Sequence, residues 1–246
     1  MHNLYTFNFL DTISHQLKER LDELQASPLC LTTLTVLDQY QSQIGSFQGV
    51  YVIYYTGRPV YVGKANGLRD RLYDHLYKLT SRHGINAGNV GYKALFLDNS
   101  MSTAANEDLL IQIYKSEYPN MWNGRGFGTK DPGKERDTTR PNAFDQEFPI
   151  IADLPIGIIL DAAGYIPLGV LLAQMKQQLP YVFRYQVPPE ELIKYICLKG
   201  VNLTACSLAH AAVRFLGLGW KGVILSYGIV IYKTNKEYAY GIEMFP

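Results

Sequence analysis

The chain is poor in the features that staple, anchor or polarise a protein. Its 246 residues hold three cysteines, Cys30, Cys197 and Cys206, an odd number without Cys-x-x-Cys spacing. Neither a disulfide framework nor a structural zinc site is expected from them, and a reducing, cytoplasmic setting is the natural one. No basic segment followed by an apolar one stands at the start, so no signal peptide is expected. The nearest thing to a membrane span, residues 154–173, is interrupted by Asp161 and by Pro155, Gly157, Gly164, Pro167 and Gly169; it is read as buried structure, with no membrane partner. A formal net charge of +1 also excludes a chain that binds nucleic acid by bulk charge alone.

What is present suits a folded chain: 47% hydrophobic and 18% charged residues belong to a globular composition, long enough for one large domain or two small ones. The charge is unevenly spread. Residues 57–93 carry seven Lys/Arg against two acids, and residues 124–140 carry five against three. Lys64, Lys78, Arg125, Lys130, Lys134 and Arg136 are therefore candidates for phosphate contact.

The stretch around which the rest is arranged is 49–75. Gly49-Val50-Tyr51-Val52-Ile53-Tyr54-Tyr55 and Val60-Tyr61-Val62-Gly63-Lys64, separated by Thr56-Gly57-Arg58-Pro59, predict a β-hairpin. Leu68, Leu72, Leu76 and Leu79 then recur at helical spacing. Arg71, His75 and Lys78, at i, i+4 and i+7, fall on one flank of that stripe, so two cations and an imidazole point the same way beside Tyr51 and Tyr61.

Elsewhere, residues 9–25 predict a helix with Leu10, Ile13, Leu17, Leu21 and Leu24 on one stripe, ended by Ser27-Pro28. Residues 29–40 give no clear signal. Residues 92–97 predict a third strand, and Ser102 or Thr103 is expected to cap a helix running to about Tyr118. Glu107 projects from the apolar arc of that helix. It either complements the helix dipole in the first turn or faces the sheet as a hard oxygen ligand suited to Mg²⁺. Residues 122–136, with Gly-Arg-Gly-Phe-Gly and Asp-Pro-Gly, are too rich in glycine for a helix or regular strand and predict a shaped loop.

Gly49-Val50-Tyr51, then Tyr61-Val62-Gly63, Arg71, His75 four residues on, Glu107 on a later helix and Trp122-Asn123 after it together resemble the GIY-YIG nuclease superfamily. The Gly-Phe-Gly and Asp-Pro-Gly that follow are similar to its type II restriction endonuclease branch, notably members cutting a palindrome of C and G only. The resemblance covers residues 47–136. It implies an α+β fold, a small antiparallel or mixed sheet flanked by helices, and Mg²⁺-dependent hydrolysis of double-stranded DNA, with Mn²⁺ as a substitute ion. In that reading Glu107 holds the metal, Arg71 contacts the scissile phosphate and Tyr51 orients or deprotonates the attacking water. His75 takes the Tyr51 proton, Tyr61 completes the hydrogen-bond network, and Asn123 orients a phosphate or the metal site. Lys64 supplies field or touches the DNA backbone.

The role implied is restriction or phage defence, with a homodimer, a cognate methyltransferase or a regulatory partner. A repair or mobile-element nuclease, a toxin effector and a non-catalytic DNA-binding module are the alternatives. The expected division is a helical extension over 1–46, a nuclease domain over 47–150 and a second α+β domain of unknown type over 151–246. In that last part helices are expected at 168–179, 189–199 and 202–216 and strands at 220–227, 228–233 and 238–243. Its charge is near balance, and His210 is read as a packing residue. Specificity, assembly or triggering is expected of it, rather than chemistry.

Overall fold

The computed structural model describes residues 8–128 and 133–246, and the protein is α+β. Among the described residues no helix is long and apolar enough to cross a membrane. Contacts divide the chain into two units, residues 1–80 with 86–128 and residues 81–85 with 129–246.

In the first unit, α1 (Phe9–Glu23) leads through β1 (Ser27–Pro28) to α2 (Leu31–Ile44). The hairpin β2 (Gly49–Tyr55) and β3 (Arg58–Ala65) follows, then α3 (Leu68–Thr80), β4 (Val90–Phe96), α4 (Asn99–Ala104) and α5 (Glu107–Glu117). The sheet is antiparallel in the order β1-β4-β2-β3, so β2 is central and β3 lies at an edge. Thr56 and Gly57, both with positive φ, make the two-residue turn that matches strand twist, and an irregularity at Ile53/Tyr54 leaves Val60 outside the register. Strand alternation sorts the hairpin's side chains to two faces. Val50, Val52 and Val62 pack with Leu17, Leu21, Leu110 and Tyr114, while Tyr51 and Tyr61 face α3.

Several expectations give way here. The N-terminal residues are not a separate extension: Leu17 and Leu21 belong to the hairpin's own core, and Ser27 and Pro28 pair with Tyr92 and Gly91. Leu10 and Leu24, the ends of the predicted stripe, stay exposed. Residues 29–40, without a clear signal, contain most of α2, started by a reciprocal Cys30/Thr33 cap and stopped by Gly45 at φ 65°. The single helix expected from 102 or 103 to 118 is broken into α4 and α5. Asn106 leaves helical dihedrals and caps the second piece by accepting from Leu109 N at 3.1 Å.

The second unit holds α6 (Ala143–Glu147), β5 (Tyr165–Pro167), α7 (Leu168–Gln178), β6 (Val182–Tyr185), α8 (Pro189–Leu192), β7 (Tyr195–Cys197), α9 (Ala205–Leu216), β8 (Trp220–Leu225), β9 (Gly228–Lys233) and β10 (Gly241–Met244). Its four-stranded sheet runs β10-β8-β9-β6, with β6 parallel to β9, and β5 pairs with β7. Leu171, Leu172 and Met175 of α7 and Leu208, Ala212 and Val213 of α9 bury against Phe183, Ile229 and Ile231. The helix expected over 189–199 stops at Leu192, because the β-favouring run Tyr195-Ile196-Cys197 pairs with β5 instead.

The boundary expected at 150 falls near 128. Asp137, Phe144, Asp145 and Ile150 are buried within the second unit, and Arg82, buried as well, donates there to Asp145 at 2.8 Å and to the carbonyls of Phe148 and Ser226.

Candidate active site

The site is built on the α3 face of the hairpin. Tyr51 is fully buried in β2, and its cross-strand neighbour is Gly63. A Cβ on Gly63 would stand 2.4 Å from the Tyr51 hydroxyl, so glycine is what lets the phenol lie across β3. Gly49 is needed for a different reason: a Cβ there would meet the Leu95 carbonyl at 2.2 Å and Leu68 at 2.6 Å, where β4 and the start of α3 close on β2.

One turn apart on α3, Arg71 and His75 converge on the same hydroxyl. His75 Nε2 lies 2.8 Å from Tyr51 Oη, and Arg71 Nε donates to that oxygen at 3.4 Å. Burial, then the charges of Arg71 and Lys78, push the His75 imidazole well below its ordinary range. It is neutral at physiological pH, and in the tautomer protonated at Nδ1 its Nε2 accepts from the Tyr51 O–H. The Tyr51 phenol is itself pushed up, by burial first and then by Tyr61, while Arg71 draws it down. Tyr61 lies beside this pair, its ring centroid 5.1 Å from that of His75.

Glu107 is the first residue of α5. Its Oε1 accepts from the Lys64 backbone N–H at 3.2 Å, which ties the helix start to the end of β3, and its charge is one of the influences that raise the Tyr51 phenol. Its other oxygen accepts no hydrogen bond among the described residues. No cluster of three or more His, Cys, Asp or Glu able to hold a metal occurs among them. A lone, partly buried carboxylate with an open oxygen fits Mg²⁺, which keeps several waters and takes substrate phosphates in place of a protein cage. The Lys64 ammonium donates to the Ala105 carbonyl at 3.1 Å.

The glycine-rich loop is laid along the edge of β3. Trp122 N donates to the carbonyl of Val60, the residue outside the strand register, at 2.5 Å. The Asn123 side chain accepts from Val62 N at 2.9 Å and donates to Val62 O at 2.7 Å. That amide therefore acts as a short strand covering the open edge, with both of its polar atoms engaged there. Beyond it, Gly128 at φ 80° presses on Tyr61, leaving no room for a Cβ, and its carbonyl accepts from Arg71 at 3.1 Å.

Of the residues expected at the site, Tyr51, Tyr61, Arg71 and His75 are brought together, Lys78 adjoins them, and Glu107 is joined through Lys64. Lys78 reaches the Gly126 carbonyl at 3.5 Å and lies over the Phe127 ring. Arg125 donates to the Asn120 carbonyl at 3.5 Å. Lys134 and Arg136 belong to the second unit, where Lys134 meets Gln186 and the face of Tyr232, and Arg136 donates to Asn142. Lys130 lies outside the described residues. Phe127 was not expected to take part, yet its buried ring stacks on His75; the sign available was one aromatic residue between two glycines in a loop otherwise poor in apolar side chains.

Chemically, the assembly offers a cation with no carboxylate paired to it among the described residues, a neutral proton acceptor, and a phenol that bridges them. No protein-family model matches the chain, and no curated protein does either.

Proposed function

We propose that the protein is a Mg²⁺-dependent endodeoxyribonuclease that hydrolyses phosphodiester bonds of double-stranded DNA. The observation that carries the reading is the Tyr51 hydroxyl held between Arg71 Nε and a buried, neutral His75 Nε2. The ordered Gly-Val-Tyr, Tyr-Val-Gly, Arg, His, Glu and Trp-Asn of the GIY-YIG resemblance supports it from the sequence side.

Hydrolysis forms a bond from a water oxygen to phosphorus and breaks the bond to the 3′ oxygen. Tyr51 Oη takes the water's proton as its own passes to His75 Nε2, so the phenol need not ionise in bulk solution, where its pKa near 10 would leave it a poor base. The positive charge of Arg71 faces the negative charge that grows on the phosphoryl oxygens, in the fork geometry that suits phosphate. Glu107 would hold the ion, which when bound supplies charge neutralisation at the phosphate and the departing oxygen. A restriction or phage-defence role follows the branch that the sequence resembles, and a homodimer or a cognate methyltransferase would accompany it.

Incubation of supercoiled plasmid with the full chain, in Mg²⁺ and in chelator, on methylated and unmethylated DNA, followed by end sequencing, tests this. Metal-dependent nicking or cutting is expected, and Glu107→Gln should abolish it while leaving DNA binding largely intact. Substantial metal-dependent nicking by a clean Glu107→Gln preparation would overturn the site assignment.

A further inference from the structure

We infer that Phe127 is a positioning residue for this site: its ring walls the His75 imidazole off from water and so keeps it a proton acceptor for Tyr51. The consequence for cleavage rests on the nuclease reading; the consequence for the histidine does not.

Phe127 is 1% exposed and His75 2%. Their ring centroids lie 4.9 Å apart with 27° between planes, a stacked arrangement, while Phe127 meets Tyr61 edge-on at 5.0 Å and 83°. Trp122, at 5.1 Å, and the Lys78 ammonium, 5.2 Å from the ring centre, also adjoin it. The ring is held in place from both directions. Trp122 and Asn123 fasten the loop to β3 before it, and Gly128, pressed on Tyr61, fixes the chain after it. Gly126 and Gly128, at φ 108° and 80°, supply the left-handed turns that aim Phe127 inward.

The groups that face the imidazole are Arg71 and Lys78 from its own helix, Tyr51 from β2, Tyr61 from β3 and Phe127 from the loop. Both cations oppose protonation, and Glu107 acts on Tyr51, whose phenol is pushed up. Two effects of the Phe127 ring compete. Contact of a ring face with an imidazolium favours protonation, by at most roughly one and a half pH units. Exclusion of water disfavours it, by roughly three to five pH units at a fully buried group. Exclusion wins, so opening this wall should raise the His75 midpoint towards the ordinary value.

The test is an NMR titration of the His75 Cε1–H in the full chain, without metal or DNA, for the wild type, Phe127→Leu and Phe127→Ala. His75→Gln assigns the resonance among the five histidines, and thermal denaturation shows which variants are folded. The midpoint should rise by about one pH unit or more in Phe127→Ala and by less in Phe127→Leu, which still fills much of the space. If Phe127→Ala does not fold, Phe127→Leu carries the same comparison. The acid limb of the plasmid-nicking rate should move up by the same amount, because cleavage needs the neutral imidazole. A merely structural phenylalanine would lower the melting temperature and leave the midpoint alone, and an unmoved midpoint in a folded variant overturns the proposal. A wild-type chain that shows no metal-dependent nicking, with variants that still show the NMR shift, would overturn the nuclease reading and leave the effect of Phe127 on His75 standing.

Discussion

Each unit of the chain buries tyrosine hydroxyls beside an arginine, and the two clusters differ in the group to which the phenol is hydrogen-bonded. In the second unit the acceptor is Asp137, 1% exposed, which receives Tyr227 Oη at 2.8 Å and Tyr232 Oη at 3.2 Å and pairs with Arg184. Burial first, then the Asp137 carboxylate, push both phenols up. The arginine's charge is met there by a carboxylate. In the first unit the partner is His75, uncharged, and the cation, Arg71, has no carboxylate paired with it among the described residues. A carboxylate makes tyrosines and arginine into a lock; a neutral imidazole leaves the same residue types with positive charge to spare and a proton acceptor in reach.

The contrast can be broken at either end. The largest effect is expected from Asp137→Ala, which removes the buried acceptor of Tyr227 and Tyr232 together with its ion pair to Arg184 and should cost about 3–5 kcal/mol of stability; a denaturant midpoint within error of the wild type would show that the lock is decorative. Next comes Arg71→Ala. Loss of a donor aimed at developing charge is worth roughly 10²- to 10³-fold, about 3–4 kcal/mol, read as the initial nicking rate of a variant whose melting temperature is unchanged. Arg184→Ala, assayed per folded molecule, should leave that rate alone, and an equal loss in both would erase the difference between the two clusters.

A smaller effect belongs to Asn123. Asn123→Ala deprives the buried Val62 N–H and carbonyl of their partners and should cost about 1–3 kcal/mol in urea unfolding, with the pH dependence of the rate unchanged if the amide only covers the strand edge.

The smallest effect is a slope with pH. The folded His75 titrates below its unfolded value near 6.5, so the unfolded chain binds the proton first. Its share of stability is whole above about pH 6.5 and is lost as the pH falls from there towards the folded pKa, at up to about 1.4 kcal/mol per pH unit. His75→Gln should flatten that part of the stability curve. His75→Ala should also slow cleavage and move the activity optimum upward, towards the range where tyrosine ionises unaided; a pH–rate profile unchanged in shape would remove the imidazole from that role.

Local rules made much of the site legible. Alternation along 49–63 puts Tyr51 and Tyr61 on the face opposite Val50, Val52 and Val62, and a 3.6-residue period puts Arg71, His75 and Lys78 on one flank of α3; both follow from short-range sterics and hold in the structure. The break at Asn106 was harder to read. Ser102 and Thr103 are good caps in isolation, yet the residue that caps α5 is Asn106, directly before the Glu107 that meets Lys64. β1 and β6 were missed because each is a short run with no period of its own, made a strand only by partners more than forty residues away.

By itself, then, the sequence determined which side chains share a strand face or a helix flank, because backbone geometry repeats over two residues or four. Tertiary structure decided what those side chains are chemically. Phe127 reaches His75 across fifty-two residues of chain, and Asp137 reaches Tyr227 across ninety. The charge state of a buried imidazole or carboxylate depends on the water and partners around it, which no local pattern specifies.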